Sequence, residues 1–204
     1  MKKELAKRAL KTSTSQLRQH NTLLRKNLRR VVGYSTENEK VQRRIDEMDD
    51  IIVESESLKV MFDALIIQGR RVFDIDTISV LLAHELKEHY PENYRDGGKS
   101  FFLESDNTSF VEPGELSSYF QDRNEPVLRG GVKKGDALFF TGGMNGRIRS
   151  EALAPLSYGK RIVGAVGFGS HNPTRFMDGY GVRFLKRLCR LLSLKMEVFV
   201  AKGA

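Results

Sequence analysis

The last quarter of the chain restricts its fold more than any other segment. Two apolar stretches, Glu151 to Tyr158 and Lys160 to Gly169, meet at Gly159-Lys160, a pair suited to a two-residue β-turn. A stretch from Asp178 to about Ala201 then has helical periodicity, with an apolar stripe of Leu185, Leu188, Leu192, Met196 and Phe199. The pattern predicts an antiparallel hairpin backed by a helix.

A turn at Gly159-Lys160 also predicts how the two strands pair. Tyr158 would face Arg161, and the pairs on one face would be Leu156 with Val163, Ala154 with Ala165, and Ala152 with Gly167. Because these side chains are small or apolar, we expect the terminal helix to pack closely on this face. Pro155 has no backbone N–H to donate, so we expect a bulge or an unpaired edge at that position.

A seven-residue repeat runs through the first quarter of the chain. Its positions are Leu10, Leu17, Leu24, Val31, Asn38, Ile45 and Ile52. The repeat predicts a long helix that needs a partner, because one helix cannot shield a narrow apolar seam from water. Strict heptads favour a parallel homodimer through an arm of residues 1–56 over packing on the same domain or an antiparallel fold-back. Thr36 and Glu39 have capping-box spacing just after Gly33, so the sequence leaves open whether the helix restarts there.

The positive charge is concentrated in the arm. The chain carries a net charge of +8, and residues 1–30 hold ten Lys or Arg against one acid, Glu4. This distribution supports an alternative function, a nucleic-acid-associated protein whose arm contacts phosphates. The basic residues in question are Lys7, Arg8, Lys11, Arg18, Arg25, Lys26, Arg29 and Arg30. No motif that reads bases accompanies them, and a solvated helix face is the simpler explanation of the charge.

The composition predicts a cytoplasmic protein that makes no membrane contact. The amino terminus lacks the apolar core of a signal peptide, and no apolar run reaches about 18 residues. With one cysteine, Cys189, the chain cannot form an intrachain disulfide.

The middle of the chain contains shorter elements, and we expect residues 57–204 to form one domain. The sequence predicts a helix from Ser57 to Phe73, a strand from Asp76 to Ala83 and a short helix from Pro113 to Gln121. Two more strands are expected near Pro126 to Arg129 and Ala137 to Thr141. The segment between 84 and 107 is polar and rich in turn formers.

The segment after the hairpin resembles a known family. It reads Gly169-Ser170-His171-Asn172-Pro173-Thr174-Arg175-Phe176, after Ala154-Pro155-Leu156 and Val163-Gly164-Ala165-Val166-Gly167 and before Gly179-Tyr180-Gly181 and Phe184-Leu185. These motifs resemble the bacterial family catalogued as domain of unknown function 484, which looks like a GAF domain with a helical amino-terminal extension. The resemblance is closest over residues 152–201. It implies an α+β fold with an antiparallel sheet, terminal helices on one face, helix-bundle dimers and a small-molecule pocket on the other face.

Catalytic and metal-binding motifs are absent from the sequence. His84 and His89 are five residues apart, whereas the helical zinc-protease motif needs a spacing of four. There is no nucleophile elbow, phosphate-binding loop or dinucleotide fingerprint. We therefore predict a non-enzymatic protein without a metal or cofactor, and we interpret His171 as a turn residue and not as a ligand.

Glycine pairs near arginines suggest where an effector could bind. Gly130-Gly131 and Gly142-Gly143 provide flexible backbone beside arginines that could hold an anion, although a solvated glycine-rich hairpin accounts for the pattern more simply. For a pocket between the sheet and the middle loops, the candidate ligand-binding residues are Tyr119, Arg129, Arg147 and Glu151. The sequence therefore favours a sensory and dimerisation module that binds a small-molecule effector.

Overall fold

The chain forms two compact units, Met1–Ile45 and Asp46–Ala204. The computed structural model describes residues 2–89, 107–121, 123–141, 143–177 and 182–203. The helices are α1 (Lys2–Glu54), α2 (Leu58–Phe73), α3 (Pro113–Phe120) and α4 (Val182–Gly203). The strands are β1 (Thr77–Ala83), β2 (Thr108–Val111), β3 (Val127–Arg129), β4 (Ser150–Tyr158) and β5 (Arg161–Ser170). Short 3₁₀ helices cover His84–His89 and Met144–Arg147.

Helix α1 is continuous, which answers the question that the sequence left open. It runs through Gly33, and the Thr36 hydroxyl donates to the Val32 carbonyl oxygen over 3.0 Å instead of capping a new helix. Near the end of α1, Met48 and Ile52 are fully buried in the core of the second unit. None of the helices among the described residues is both long and apolar enough to cross a membrane.

Helix α2 begins and ends at residues that its sequence marks for those places. The Ser57 hydroxyl caps the helix by accepting from the Val60 N–H over 3.2 Å. Asp74 ends it in the left-handed conformation, with φ of 52° and its N–H bonded to the Arg70 carbonyl. The predicted helix from Ser57 to Phe73 is therefore confirmed.

The five strands form one sheet in the order β2-β1-β5-β4-β3. All neighbouring pairs are antiparallel except β1 with β2, which is parallel. The sequence did not predict β2, because only four residues at the end of a polar segment form it. The predicted strand from Ala137 to Thr141 is wrong: this segment is a turn closed by the Phe140 N–H and the Asp136 carbonyl oxygen at 2.9 Å.

The β4–β5 hairpin has the predicted turn but not the predicted register. Tyr158 faces Arg161, and Gly159 adopts a φ of 61° that suits glycine. A bulge then makes Val163 an extra residue, so that Leu156 pairs with Gly164. The bulge lies next to Pro155, close to where it was expected.

The bulge reverses the faces of β5 from Gly164 onward relative to the prediction. Ala152 pairs with Phe168 and Ala154 with Val166, so the two larger side chains of β5 pack toward α4. Ala165 and Gly167, predicted on that face, point to the opposite one, because one extra residue shifts the alternation by one position. The helix-facing core still receives the predicted stripe of α4, namely Leu185, Leu188, Leu192 and Met196.

The sheet face opposite α4 carries a second, smaller core. Its members come from β1, β2, α3, the segment between β3 and β4, and the hairpin: Leu81, Val111, Leu116, Phe120, Phe139, Phe140, Ile148, Leu153, Ile162 and Ala165. Phe139 and Phe140 belong to the turn that was predicted as a strand. Their apolar character thus reflects packing on the sheet and not strand pairing.

Candidate functional site

The pairing of four strands places a row of residues across the sheet face opposite α4. Thr77 on β1 pairs with Gly169 on β5, Gly169 pairs with Glu151 on β4, and Glu151 pairs with Arg129 on β3. Directly paired residues point to the same face. The row therefore brings a hydroxyl, a glycine, a carboxylate and a guanidinium side by side.

Arg129 is the centre of a hydrogen-bonded group that we call the Arg129 cluster, formed by Tyr119, Arg129, Asp136 and Glu151. Arg129 Nη1 lies 3.1 Å from Glu151 Oε1 and 3.2 Å from Asp136 Oδ2, and Nη2 donates to the Tyr119 hydroxyl over 2.9 Å. That hydroxyl donates to Asp136 Oδ2 over 2.6 Å. The backbone N–H of Asp136 donates to Glu151 Oε2 over 2.8 Å. The cluster thus ties α3, β3, β4 and the turn at Asp136 together.

Burial is the largest single influence on the pKa values of Glu151, Tyr119 and Arg129. Desolvation raises the pKa of Glu151, whose side chain is 1% exposed, although the Asp136 N–H and Arg129 act in the other direction. Burial followed by the neighbouring Asp136 raises the pKa of Tyr119, so its hydroxyl stays a donor. For Arg129, burial lowers the pKa, but Tyr119, Asp136 and Glu151 more than offset this and the net pKa is raised.

The one positive charge of the cluster, that of Arg129, is already shared by two carboxylates. Arg129 is 40% exposed and faces two carboxylates, so its positive charge is not available to hold an anion. Arg149 is also engaged, since its Nη1 donates to the carbonyl oxygens of Lys133, Gly146 and Ile148 within 3.1 Å. The arrangement favours a structural tie or a site for an uncharged molecule over an anion cradle.

Three of the four residues predicted for the site lie together, and the fourth does not. Tyr119, Arg129 and Glu151 are in the cluster, whereas Arg147 is exposed at the end of a 3₁₀ helix. None of the hydrogen bonds or ion pairs described for the chain joins Arg147 to the cluster. Asp136 was not predicted, because a lone acid in a glycine-rich loop carries no pattern that reveals its partners.

The family of the chain follows from its sequence taken as a whole. The family model described as protein of unknown function, DUF484, matches residues 4–201. The chain belongs to this family. No curated protein is significantly similar to this DUF484 protein in sequence.

Solved structures show the fold of the DUF484 protein. The GAF domain of a phosphoenolpyruvate-protein phosphotransferase from Coxiella burnetii aligns with a TM-score of 0.58 and 10% identity, over 81% of this chain and 97% of that one. The corresponding GAF domain from Acinetobacter has a TM-score of 0.53 and 18% identity, over 80% and 96%. A free methionine-R-sulfoxide reductase from Neisseria meningitidis, in complex with its substrate, has a TM-score of 0.55 and 14% identity, over 80% and 92%. The predicted GAF-like α+β fold with an amino-terminal helical extension is confirmed.

Beside the Arg129 cluster, the DUF484 protein has two hydroxyl residues that face glycines. Ser79 pairs with Gly167, and Thr77 pairs with Gly169. A methyl group on Gly167 would lie 2.7 Å from both Phe139 Cδ1 and Ser79 Oγ. A methyl group on Gly169 would lie 2.7 Å from Ile148 Cδ1. The glycines therefore provide the space in which the side chains from the 136–148 segment rest on the sheet.

A second polar group fixes the loop after β5. Asp76 Oδ2 accepts from the Ser170 hydroxyl at 2.9 Å and from the His171 N–H at 2.7 Å, and Asp76 Oδ1 lies 3.0 Å from His171 Nδ1. Burial raises the pKa of Asp76, but these hydrogen bonds and the charges of His171 and Arg70 outweigh it, so the net pKa is lowered. His171 thus joins the loop to the start of β1.

The groove of about 360 Å³ between α4 and β4 lies on the other side of the sheet from the cluster. Two of its side chains cap the edge of β4: Ser193 Oγ accepts from the Ser157 N–H at 2.9 Å, and Glu197 Oε1 accepts from the Gly159 N–H at 3.1 Å. Cys189 lines the same groove, and burial raises the pKa of its thiol to about 12. These residues serve packing and edge protection, so we place the candidate site at the Arg129 cluster.

Proposed function

We propose that this DUF484 protein is a non-catalytic GAF-like sensory module that forms a parallel homodimer through the first unit of α1 and binds a small-molecule effector beside the Arg129 cluster. The observation that carries the proposal is the exposed apolar seam of α1. Leu24, Leu28 and Val31 follow one another at the spacing of a coiled-coil seam, and each is more than half exposed. A helix gains stability when such a stripe is covered.

A second copy of the chain is the partner that suits the seam. In a parallel pair the same heptad positions meet, so apolar residues contact apolar residues along the length of the seam. Arg25, Lys26, Arg29 and Arg30 point about 100° to 240° around the helix axis from Leu24. A parallel dimer therefore keeps these like charges on its outer surface.

The absence of catalysis is supported by the chemistry of the available groups. One neighbour of similar fold is a methionine sulfoxide reductase, but the single cysteine of this chain is buried and its raised pKa disfavours the reactive thiolate. The acid and base groups of the Arg129 cluster are paired with one another. Among the described residues, no group of three His, Cys, Asp or Glu is arranged to hold a metal ion.

The test of the dimer uses two adjacent valines. Val31 is on the seam and 61% exposed, whereas Val32 is next to it, off the seam, and 56% exposed. We expect the wild-type chain to sediment as a dimer at tens of micromolar, Val31→Asp to sediment as a monomer and Val32→Asp to remain a dimer. A monomeric wild-type protein, or equal effects of the two substitutions, would overturn the proposed dimer.

A second candidate function is nucleic-acid binding by the basic residues of α1. Because Arg25, Lys26, Arg29 and Arg30 lie away from the seam, a dimer would leave them free to contact the phosphates of a nucleic acid. Filter binding of the full chain and of a variant with these four residues changed to Gln, at two salt concentrations, tests this. Salt-sensitive binding that the variant loses would favour it, and salt-insensitive or absent binding would exclude it.

A further inference from the structure

Two cross-strand pairs beside the Arg129 cluster, Thr77–Gly169 and Ser79–Gly167, form a surface of the sheet that we call the floor. The floor contains two buried hydroxyls that have no partner among the described residues. Ser79 is 4% exposed and Thr77 is 3% exposed. Neither Ser79 Oγ nor Thr77 Oγ1 has a hydrogen-bond partner within the part of the chain that the structure describes. A buried hydroxyl without a partner is unfavourable, so such groups call for an explanation.

Aromatic rings of the chain itself lie over this floor. Phe139 covers the Ser79–Gly167 pair, and Phe140 with Ile148 covers the Thr77–Gly169 pair, as the close approaches to the two glycines show. Phe139 and Phe140 are 3% and 1% exposed. A phenyl ring fills the space but offers nothing to which the hydroxyls can hydrogen-bond.

The rings are held in place by the turn that carries them. Asp136 opens this turn: its carbonyl oxygen accepts from the Phe140 N–H at 2.9 Å and its Oδ1 accepts from the Leu138 N–H at 3.0 Å. The same residue is fixed to β4 by Glu151 and to β3 by Arg129. The Arg129 cluster therefore anchors the segment that covers the floor.

We propose that Phe139 and Phe140 are a built-in occupant of the effector site, and that the effector is a planar, uncharged heteroaromatic molecule that displaces them and hydrogen-bonds to Ser79 and Thr77. This inference rests on the proposed function, because it concerns the effector site of that proposal. A flat ring matches the shape that the glycines accommodate, and polar atoms on its edge satisfy the hydroxyls. A charged ligand is disfavoured, since the floor offers no counter-ion and the nearby Arg129 is already bound to two carboxylates.

The experiment removes the Phe139 ring from the floor and measures which small molecules then bind. The probes are indole, which has one N–H donor, and indene, its carbocyclic counterpart without that donor. In full-length Phe139→Ala we expect indole binding by calorimetry, and we expect Ser79→Ala in that background to weaken indole about three- to tenfold while leaving indene unchanged. Adding Gly167→Ala to Phe139→Ala should weaken binding of both, because the new methyl group takes up part of the vacated space beside Ser79.

A measurement on the unmodified chain decides the matter if Phe139→Ala does not fold. Millimolar indole should shift the NMR signals of the Phe139 and Phe140 rings and speed hydrogen exchange at the Phe140 amide. No shift of these rings, or indole binding to Phe139→Ala that ignores Ser79 and Gly167, would overturn the inference. Sedimentation of Val31→Asp and Val32→Asp tests the proposed dimer separately, so failure of one is distinguishable from failure of the other.

Discussion

The backbone N–H of Asp136 donates to Glu151 Oε2 over 2.8 Å, so a buried carboxylate on the sheet holds the turn that covers it. Arg129 connects the same two residues a second time, because its Nη1 donates to the carboxylates of both Asp136 and Glu151. The Arg129 cluster therefore both joins β3 to β4 and fixes the turn at Asp136 to the sheet. Several residues of this group can be tested one at a time.

Removing the Glu151 carboxylate should destabilise the second unit strongly. Glu151→Ala leaves the Asp136 N–H and Arg129 without their buried acceptor, and we expect a loss of about 2 kcal/mol in the free energy of unfolding by urea. Glu85→Ala is the matched control, because Glu85 also pairs with an arginine, Arg161, but at an exposed site. Its loss should stay below about 1 kcal/mol. Equal losses would mean that the cluster contributes no more than a surface ion pair.

A methyl group at Gly167 should strain the packing on the sheet. In Gly167→Ala the new atom meets Phe139 Cδ1 and Ser79 Oγ at 2.7 Å, and relief requires the ring to move. We expect a cost of about 1 to 3 kcal/mol in unfolding experiments. Gly146→Ala is the control, since nothing lies within 4 Å of its added methyl group. A Gly167→Ala protein as stable as wild type would show that the Phe139 ring is not confined.

Acid should remove the contribution of Asp76. Its pKa is lowered from the ordinary 3.8 in the folded protein, so its stabilisation is present above that value and is lost as the pH falls through the lower folded pKa. We expect Asp76→Asn to be less stable than wild type by about 1 kcal/mol at pH 5. The difference should shrink as the pH falls below about 4. A difference that does not vary with pH would contradict the role given to the Asp76 carboxylate.

Replacing Gly33 by alanine should make helix α1 more stable. The residue lies inside the helix with nothing within 4 Å of a new methyl group, and alanine favours helix over glycine by about 1 kcal/mol. We expect slower amide hydrogen exchange around position 33 in Gly33→Ala, with unchanged sedimentation. Faster exchange would contradict a continuous α1, because it would mean that the helix needs glycine at position 33 to bend or break there.

Local signals in the sequence predicted local structure well. The Gly159-Lys160 turn, the helix α2 and the stripe of α4 each depend on residues close together in the chain, and each was confirmed. The pairing of Leu156 with Val163 was wrong, because a bulge is decided by packing on both faces of the sheet and the sequence of one strand does not reveal that packing. Phe139 and Phe140 gave a strand-like pattern, but they are buried by packing on the sheet against residues distant in the chain.

In the candidate site, too, some residues could be found from the local sequence and others could not. Arg129 could be selected because it adjoins the Gly130-Gly131 pair, and Tyr119 and Glu151 because they lie on elements that border the middle loops. Asp136 and the hydroxyls of Ser79 and Thr77 could not, since their importance depends on cross-strand partners. Strand order is a property of the whole sheet, and a pattern along one strand does not contain it.

The capped edge of β4 limits how copies of this protein can aggregate. Pro155 has no N–H, and the N–H groups of Ser157 and Gly159 are already bound by Ser193 and Glu197. An incoming strand would find no free donor at these three successive outward positions, so ribbon-like growth of the sheet is blocked there. Self-association that begins at this border would first have to detach α4.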